Sequence, residues 1–191
     1  EQGRTITIGQ NLVAFQSSSH STFAPFCAEM ISCVTAISEA VGTFAQVRRL
    51  GLRYVNLIPL KDGEDPSNWV CSELLGKPLP DCMQNHHHSK IERLFNIDPG
   101  LLAVRYSDLP GQPPLPAGLN PLGLRIPPKV VSALQQQQRF ILLDLDRHSQ
   151  KRFDFDLGRI NQTLVDFNHS LQEAFFACTT EKAKKEWGID S

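Results

Sequence analysis

Four aspartates lie close together in the last third of the chain, in a pattern that suits a metal ion. Asp144 and Asp146 end the apolar run RFILLDLD, and Asp154 and Asp156 follow in KRFDFDL. Carboxylates that converge on Mg²⁺ support phosphoryl transfer or hydrolysis, so one hypothesis is a metal-dependent hydrolase or nuclease. Charged side chains usually face water, and the favoured interpretation is that these four flank a hairpin tip beside basic partners.

A second polar group interrupts the run RRLGLRYVNLIPL, from Arg48 to Leu60. Side chains alternate between the two faces of a strand, so Tyr54 and Asn56 share a face with the leucines, and Arg53 points the other way. The apolar face must pack on another layer of the fold. The pattern therefore predicts that Tyr54 and Asn56 lie in the core.

A buried asparagine is costly unless it is hydrogen-bonded, so a partner is expected on the helix above the strand. His169 is the favoured partner, because it lies beside the apolar stripe of the C-terminal helix, between Phe167 and Leu171. The prediction is a structural bond from Tyr54 or Asn56 to His169 rather than a catalytic base. On the opposite face, Asp144 or Asp146 is expected to neutralise Arg53.

Two further patterns suggest ligands but carry less weight. Arg48, Arg49 and Arg53 form a basic group, and a nucleic-acid-binding accessory factor is the third hypothesis. The chain holds 19 basic and 20 acidic residues, a net charge of −1, and this balance gives no support to phosphate binding. The histidines at 86–88 are adjacent and point apart, so an exposed loop is the better interpretation. No cofactor is predicted.

Length and composition favour one globular domain over residues 1–191. Apolar residues make up 41% of the chain, and no stretch is expected to cross a membrane. The five cysteines form no C-x-x-C pair, which favours free thiols and a cytoplasmic location.

Periodicity indicates an α+β fold, mainly an antiparallel sheet with two long helices packed on one face. The helices are predicted near residues 23–41 and 157–178. RFILLDLD and KRFDFDL are predicted to pair as a hairpin. Residues 109–128 carry seven prolines and are interpreted as a surface loop.

The strand GLRYVN, Gly51–Asn56, resembles the G-L-R-Y-[IV]-N motif of a sporadically distributed prokaryotic family of uncharacterised function. The C-terminal helix is similar too, through His169, then Phe175 or Phe176, then Thr180. The resemblance implies that this chain is the C-terminal portion of a longer member. It also implies an association with mobile or defence-related genes.

The resulting expectation is a non-enzymatic protein-binding module, or a subunit of a larger prokaryotic assembly. A sheet that lacks a strand exposes unpaired backbone groups along one edge. A partner protein or a second copy of the chain is therefore expected to cover that edge.

Overall fold

The computed structural model describes residues 4–18, 22–42, 46–76, 88–109, 132 and 139–189. The predicted Pro-rich loop lies outside these residues from position 110 onward, as do the first two of the three adjacent histidines. In chain order the elements are β1 Arg4–Gly9, β2 Leu12–Ser17, α1 Phe23–Val41, β3 Gln46–Val47, β4 Gly51–Leu60, a 3₁₀ turn Pro66–Asn68, α2 Ser72–Leu75, β5 Ser89–Ile97, β6 Gly100–Leu109, β7 Arg139–Ser149, β8 Phe153–Asp154, α3 Leu157–Cys178 and α4 Glu181–Glu186.

Within the described ranges the main sheet has four antiparallel strands in the order β4-β7-β6-β5, which confirms the predicted α+β class. Tyr54 on β4 and Val104 on β6 both lie opposite Leu145 on β7. Strand β7 is flanked on both sides by other strands, and its residues 140–145 are all buried. The strand predicted from its unbroken apolar run is therefore the centre of the sheet.

Helix α3 covers one face of this sheet. Its buried residues recur at helical spacing and comprise Ile160, Leu164, Phe167, Asn168, Leu171 and Cys178. The Asp156 side chain caps the helix by accepting a hydrogen bond from the backbone N–H of Arg159, at 2.5 Å. The apolar stripe meets the inward side chains of β4 and β7 in a single hydrophobic core.

Helix α1 packs beside α3, on the same core. The Cys27 thiol donates to Asn161 Oδ1 at 3.3 Å, and Phe26 contacts Phe15 of the β1–β2 hairpin with 5.1 Å between ring centroids. By length and composition alone, α1 is also apolar enough to cross a membrane, which the sequence did not lead us to expect. One such helix near the N-terminus is weak support for a membrane span.

The predicted hairpin of RFILLDLD with KRFDFDL is wrong. Strand β8 pairs with β3, with Phe153 opposite Val47 and Asp154 opposite Gln46. Both edges of β7 are already bonded, one to β4 and one to β6, so no edge remains for β8.

Candidate functional site

Tyr54 and Asn56 lie on the core side of β4, as predicted, but His169 bonds to neither. The Tyr54 hydroxyl donates to Asn168 Oδ1 at 2.8 Å, and Asn56 Nδ2 donates to the Leu143 carbonyl at 3.3 Å. A helix turns roughly 100° per residue, so Asn168 faces the sheet and His169 is exposed. Burial, with a smaller effect from Cys27, raises the pKa of Tyr54 to about 12.

The opposite face of β4 carries the ion pair that the sequence predicted. Arg53 binds Asp144 through two hydrogen bonds, Nε to Oδ1 at 2.7 Å and Nη2 to Oδ2 at 2.6 Å. Arg105 adds a third bond to the same carboxylate at 3.3 Å, and the Asp144 side chain is only 1% exposed. Asp144 is thus a buried anion held by two arginines.

The four predicted metal ligands are not brought together as a metal site. Asp146 lies 3.7 Å from Arg105 and 3.7 Å from His148 Nδ1, whereas Asp154 is exposed and Asp156 caps α3. No group of three or more histidine, cysteine, aspartate or glutamate side chains that could hold a metal occurs in the described part of the chain. The prediction had placed the four carboxylates on two paired strands, whereas β8 pairs with β3.

The predicted nucleic-acid residues are partly neutralised within the protein. Arg53 forms an ion pair with Asp144. Arg49 Nη2 lies 3.8 Å from Asp146, and the Arg49 side chain is 62% exposed. Arg48 is exposed. These three arginines therefore do not act as one free basic surface.

Strand β4 has a neighbour on only one side, among the residues that the structure describes. The Ser149 N–H donates to the Leu50 carbonyl at 2.8 Å, which sets the pattern of the antiparallel ladder. Even-numbered residues of β4 bond to β7. The odd-numbered residues direct their N–H and C=O groups outward, and these are Gly51, Arg53, Val55, Leu57 and Pro59.

Pro59 supports this assignment from the sequence side. Proline has no N–H, so it occurs on edge strands with its nitrogen facing away from the ladder. We call the outer side of this strand the β4 edge. Its five outward residues provide five carbonyl acceptors but only four N–H donors, because Pro59 has no N–H.

A shallow, open groove of about 350 Å³, lined by both polar and apolar surface, runs beside the β4 edge. Its floor is β4 from Val55 to Pro59, and its wall is formed by Phe175, Trp187 and Ile189. Trp187 stacks on Trp69 at 5.6 Å and contacts Phe175 at 5.8 Å between ring centroids. The wall is thus held by aromatic packing. Sequence reasoning missed it, because its residues come from separate elements.

The other outer strand, β5, differs in its outward positions. In the ladder pattern, the backbone N–H and C=O groups that point away from β6 belong to Lys90, Glu92, Leu94 and Asn96. Charged residues on an edge discourage pairing with another strand. On β4 the only charged outward residue is Arg53, which Asp144 already neutralises.

No family model, no curated protein and no solved structure in the comparisons matches this chain. The resemblance of Gly51–Asn56 to a prokaryotic family motif stays a prediction. The candidate site therefore rests on its own geometry.

Proposed function

We propose that this protein is a protein-binding module and that its partner contributes an extended segment, which adds to the sheet along the β4 edge. The main supporting observation is that one strand combines two features: an edge with no neighbouring strand among the described residues, and a groove with an aromatic wall. Main-chain hydrogen bonds give such a complex its affinity, and pockets for alternate side chains give it specificity.

The groove sets the length and pattern of the segment. Five residues of β4 line it, which is about 17 Å at 3.4 Å per residue. A paired segment turns every second side chain toward the groove, so two or three of its residues contact the wall. Those residues are expected to be apolar, and prolines are excluded wherever the segment must donate an N–H.

Two side-chain contacts connect β4 to the rest of the fold. On the core side the Tyr54–Asn168 bond ties β4 to α3, and on the other side the Arg53–Asp144 pair ties it to β7. A preorganised edge loses little conformational freedom when it binds, which favours affinity. The partner is a different protein, such as another subunit of a larger assembly, or a second copy of this chain.

The test is selection from a displayed library of short random segments against the purified protein. Two matched variants identify the edge that binds. Val55→Pro removes one outward N–H of β4, and Leu94→Pro removes one outward N–H of β5. Neither N–H takes part in the ladder, so both variants are expected to fold, as checked by circular dichroism.

The expected result is selection of segments with alternating apolar residues that bind the native chain and Leu94→Pro but not Val55→Pro. Recovery of no such segment, or equal binding to both variants, would contradict the proposal. Sedimentation across a concentration series identifies self-pairing, which Val55→Pro should abolish if the partner is a second copy.

A further inference from the structure

We infer that the partner segment is acidic at the end that extends past the start of β4, where the fold gathers a basic cluster of Arg48, Arg49, Lys151 and Arg152. This inference rests on the proposed function, and it names the chemistry of the partner. The groove receives the apolar end, and the cluster receives the acidic end.

The strand ladders bring the cluster together. Residues 48–50 connect β3 to β4, and residues 150–152 connect β7 to β8. These two connections run side by side, since Val47 pairs with Phe153 on one side and Gly51 pairs with His148 on the other. Two basic dipeptides that are about 100 residues apart in sequence therefore become neighbours.

Much of the cluster's charge faces solvent. All four residues are exposed. Lys151 contacts Asp98 at 2.5 Å, and Arg49 lies 3.8 Å from Asp146. Arg48 and Arg152 are the members that form no ion pair within the described part of the chain. The net charge of the whole chain is −1, so this positive end is a local feature.

Arg48 and Arg49 lie directly before the first residue of β4, and Lys151 and Arg152 follow its paired neighbour β7. From Arg49 to the start of the groove at Val55 is six residues, about 20 Å along a strand. A paired segment of about ten residues therefore reaches both features. Acidic residues complement the cluster and speed association at low salt.

Nucleic acid is the competing ligand for a basic cluster. The structure favours an acidic peptide, because β4 has an edge without a neighbour among the described residues and a groove with an aromatic wall, and both suit a polypeptide. Both ligands enter the test.

The experiment compares four synthetic peptides. All share one half with alternating apolar residues, and the other half is a tract of three glutamates or three lysines. Each tract is placed at the N-terminus in one peptide and at the C-terminus in another. Binding is measured by calorimetry at low salt. The double variant Arg48→Glu/Arg152→Glu reverses two solvent-facing charges, and Lys90→Glu on β5 is the control.

We expect a glutamate peptide to bind more tightly than its lysine counterpart. The double variant should weaken the glutamate peptide roughly tenfold, since each exposed pair contributes only modestly. Lys90→Glu should leave its affinity within about twofold, and added salt should reduce the preference for acid.

Equal affinity for the glutamate and lysine peptides would overturn the inference while leaving the proposed function intact. Failure of every peptide to bind would remove the proposed function as well. A single-stranded DNA oligonucleotide that binds and depends on Arg48 and Arg152 would also overturn the inference, by assigning the cluster to nucleic acid.

Discussion

The hydrogen bond from Tyr54 to Asn168 is a polar contact between β4 and α3 beside their shared apolar core, and its contribution can be measured. Asn168 is 6% exposed, so Tyr54→Phe leaves its Oδ1 buried without the 2.8 Å bond. An unsatisfied buried acceptor costs about 1–3 kcal/mol, and we expect Tyr54→Phe to lower the free energy of unfolding by this amount. Urea denaturation followed by circular dichroism measures it.

A double-mutant cycle separates the bond from the packing around it. Asn168→Leu removes the acceptor together with its need for a partner, so Tyr54→Phe should cost about 1 kcal/mol less in that background. His169→Ala, one residue further along the helix and exposed, is the matched control and should change stability by less than about 0.5 kcal/mol. Additive losses in the cycle, or a large effect of His169→Ala, would refute the reasoning.

Three further predictions concern the buried charged and titratable groups. Asp144→Asn removes the carboxylate that Arg53 and Arg105 share, and it should lower the free energy of urea unfolding by about 2–4 kcal/mol. This loss is below the range for a fully buried pair because both arginine side chains are about a quarter exposed. The control Asp154→Asn, at an exposed position, should leave stability unchanged. The chain's two tyrosines, Tyr54 and Tyr106, both have a pKa raised by burial, so absorbance at the phenolate band should stay flat through pH 10 until the protein unfolds, and a step near 10 in the folded protein would disprove their burial. Burial, aided by Arg49, lowers the pKa of His148 below its ordinary 6.5, so below that pH the unfolded chain takes up a proton that the folded chain resists. Stability should therefore fall as pH drops through about 6.5, and His148→Gln should flatten that part of the profile; an unchanged slope would refute the assignment.

Strands β4 and β7 and the two long helices could be predicted from the sequence because their periodicity is local. Gly51–Leu60 buries Leu52, Ile58 and Leu60, which share one face of the strand, and Leu157–Cys178 repeats its apolar residues at helical spacing. The pairing of strands is a long-range property. KRFDFDL follows β7 closely in sequence, yet β4 and β6 occupy both edges of β7, and no local pattern reveals this.

The site could be predicted only in part. Alternation correctly placed Tyr54 toward the core and Arg53 toward Asp144. The predicted hydrogen-bond partner on the helix, His169, is one residue away from the observed partner, Asn168. Which of the two faces β4 depends on how α3 is rotated about its axis, and the sequence does not define that rotation. Pro59 was the available signal that β4 is an edge strand, since a proline in a central strand would break the ladder.

Amide hydrogen exchange along β4, resolved by NMR, tests the central claim most directly. In the isolated protein we expect the outward amides of Gly51, Arg53, Val55 and Leu57 to exchange fast, while the alternate amides bonded to β7 exchange slowly. A selected segment should slow the outward set alone. Uniform protection of β4 in the isolated protein, or outward amides that stay fast with the segment bound, would contradict strand addition at the β4 edge.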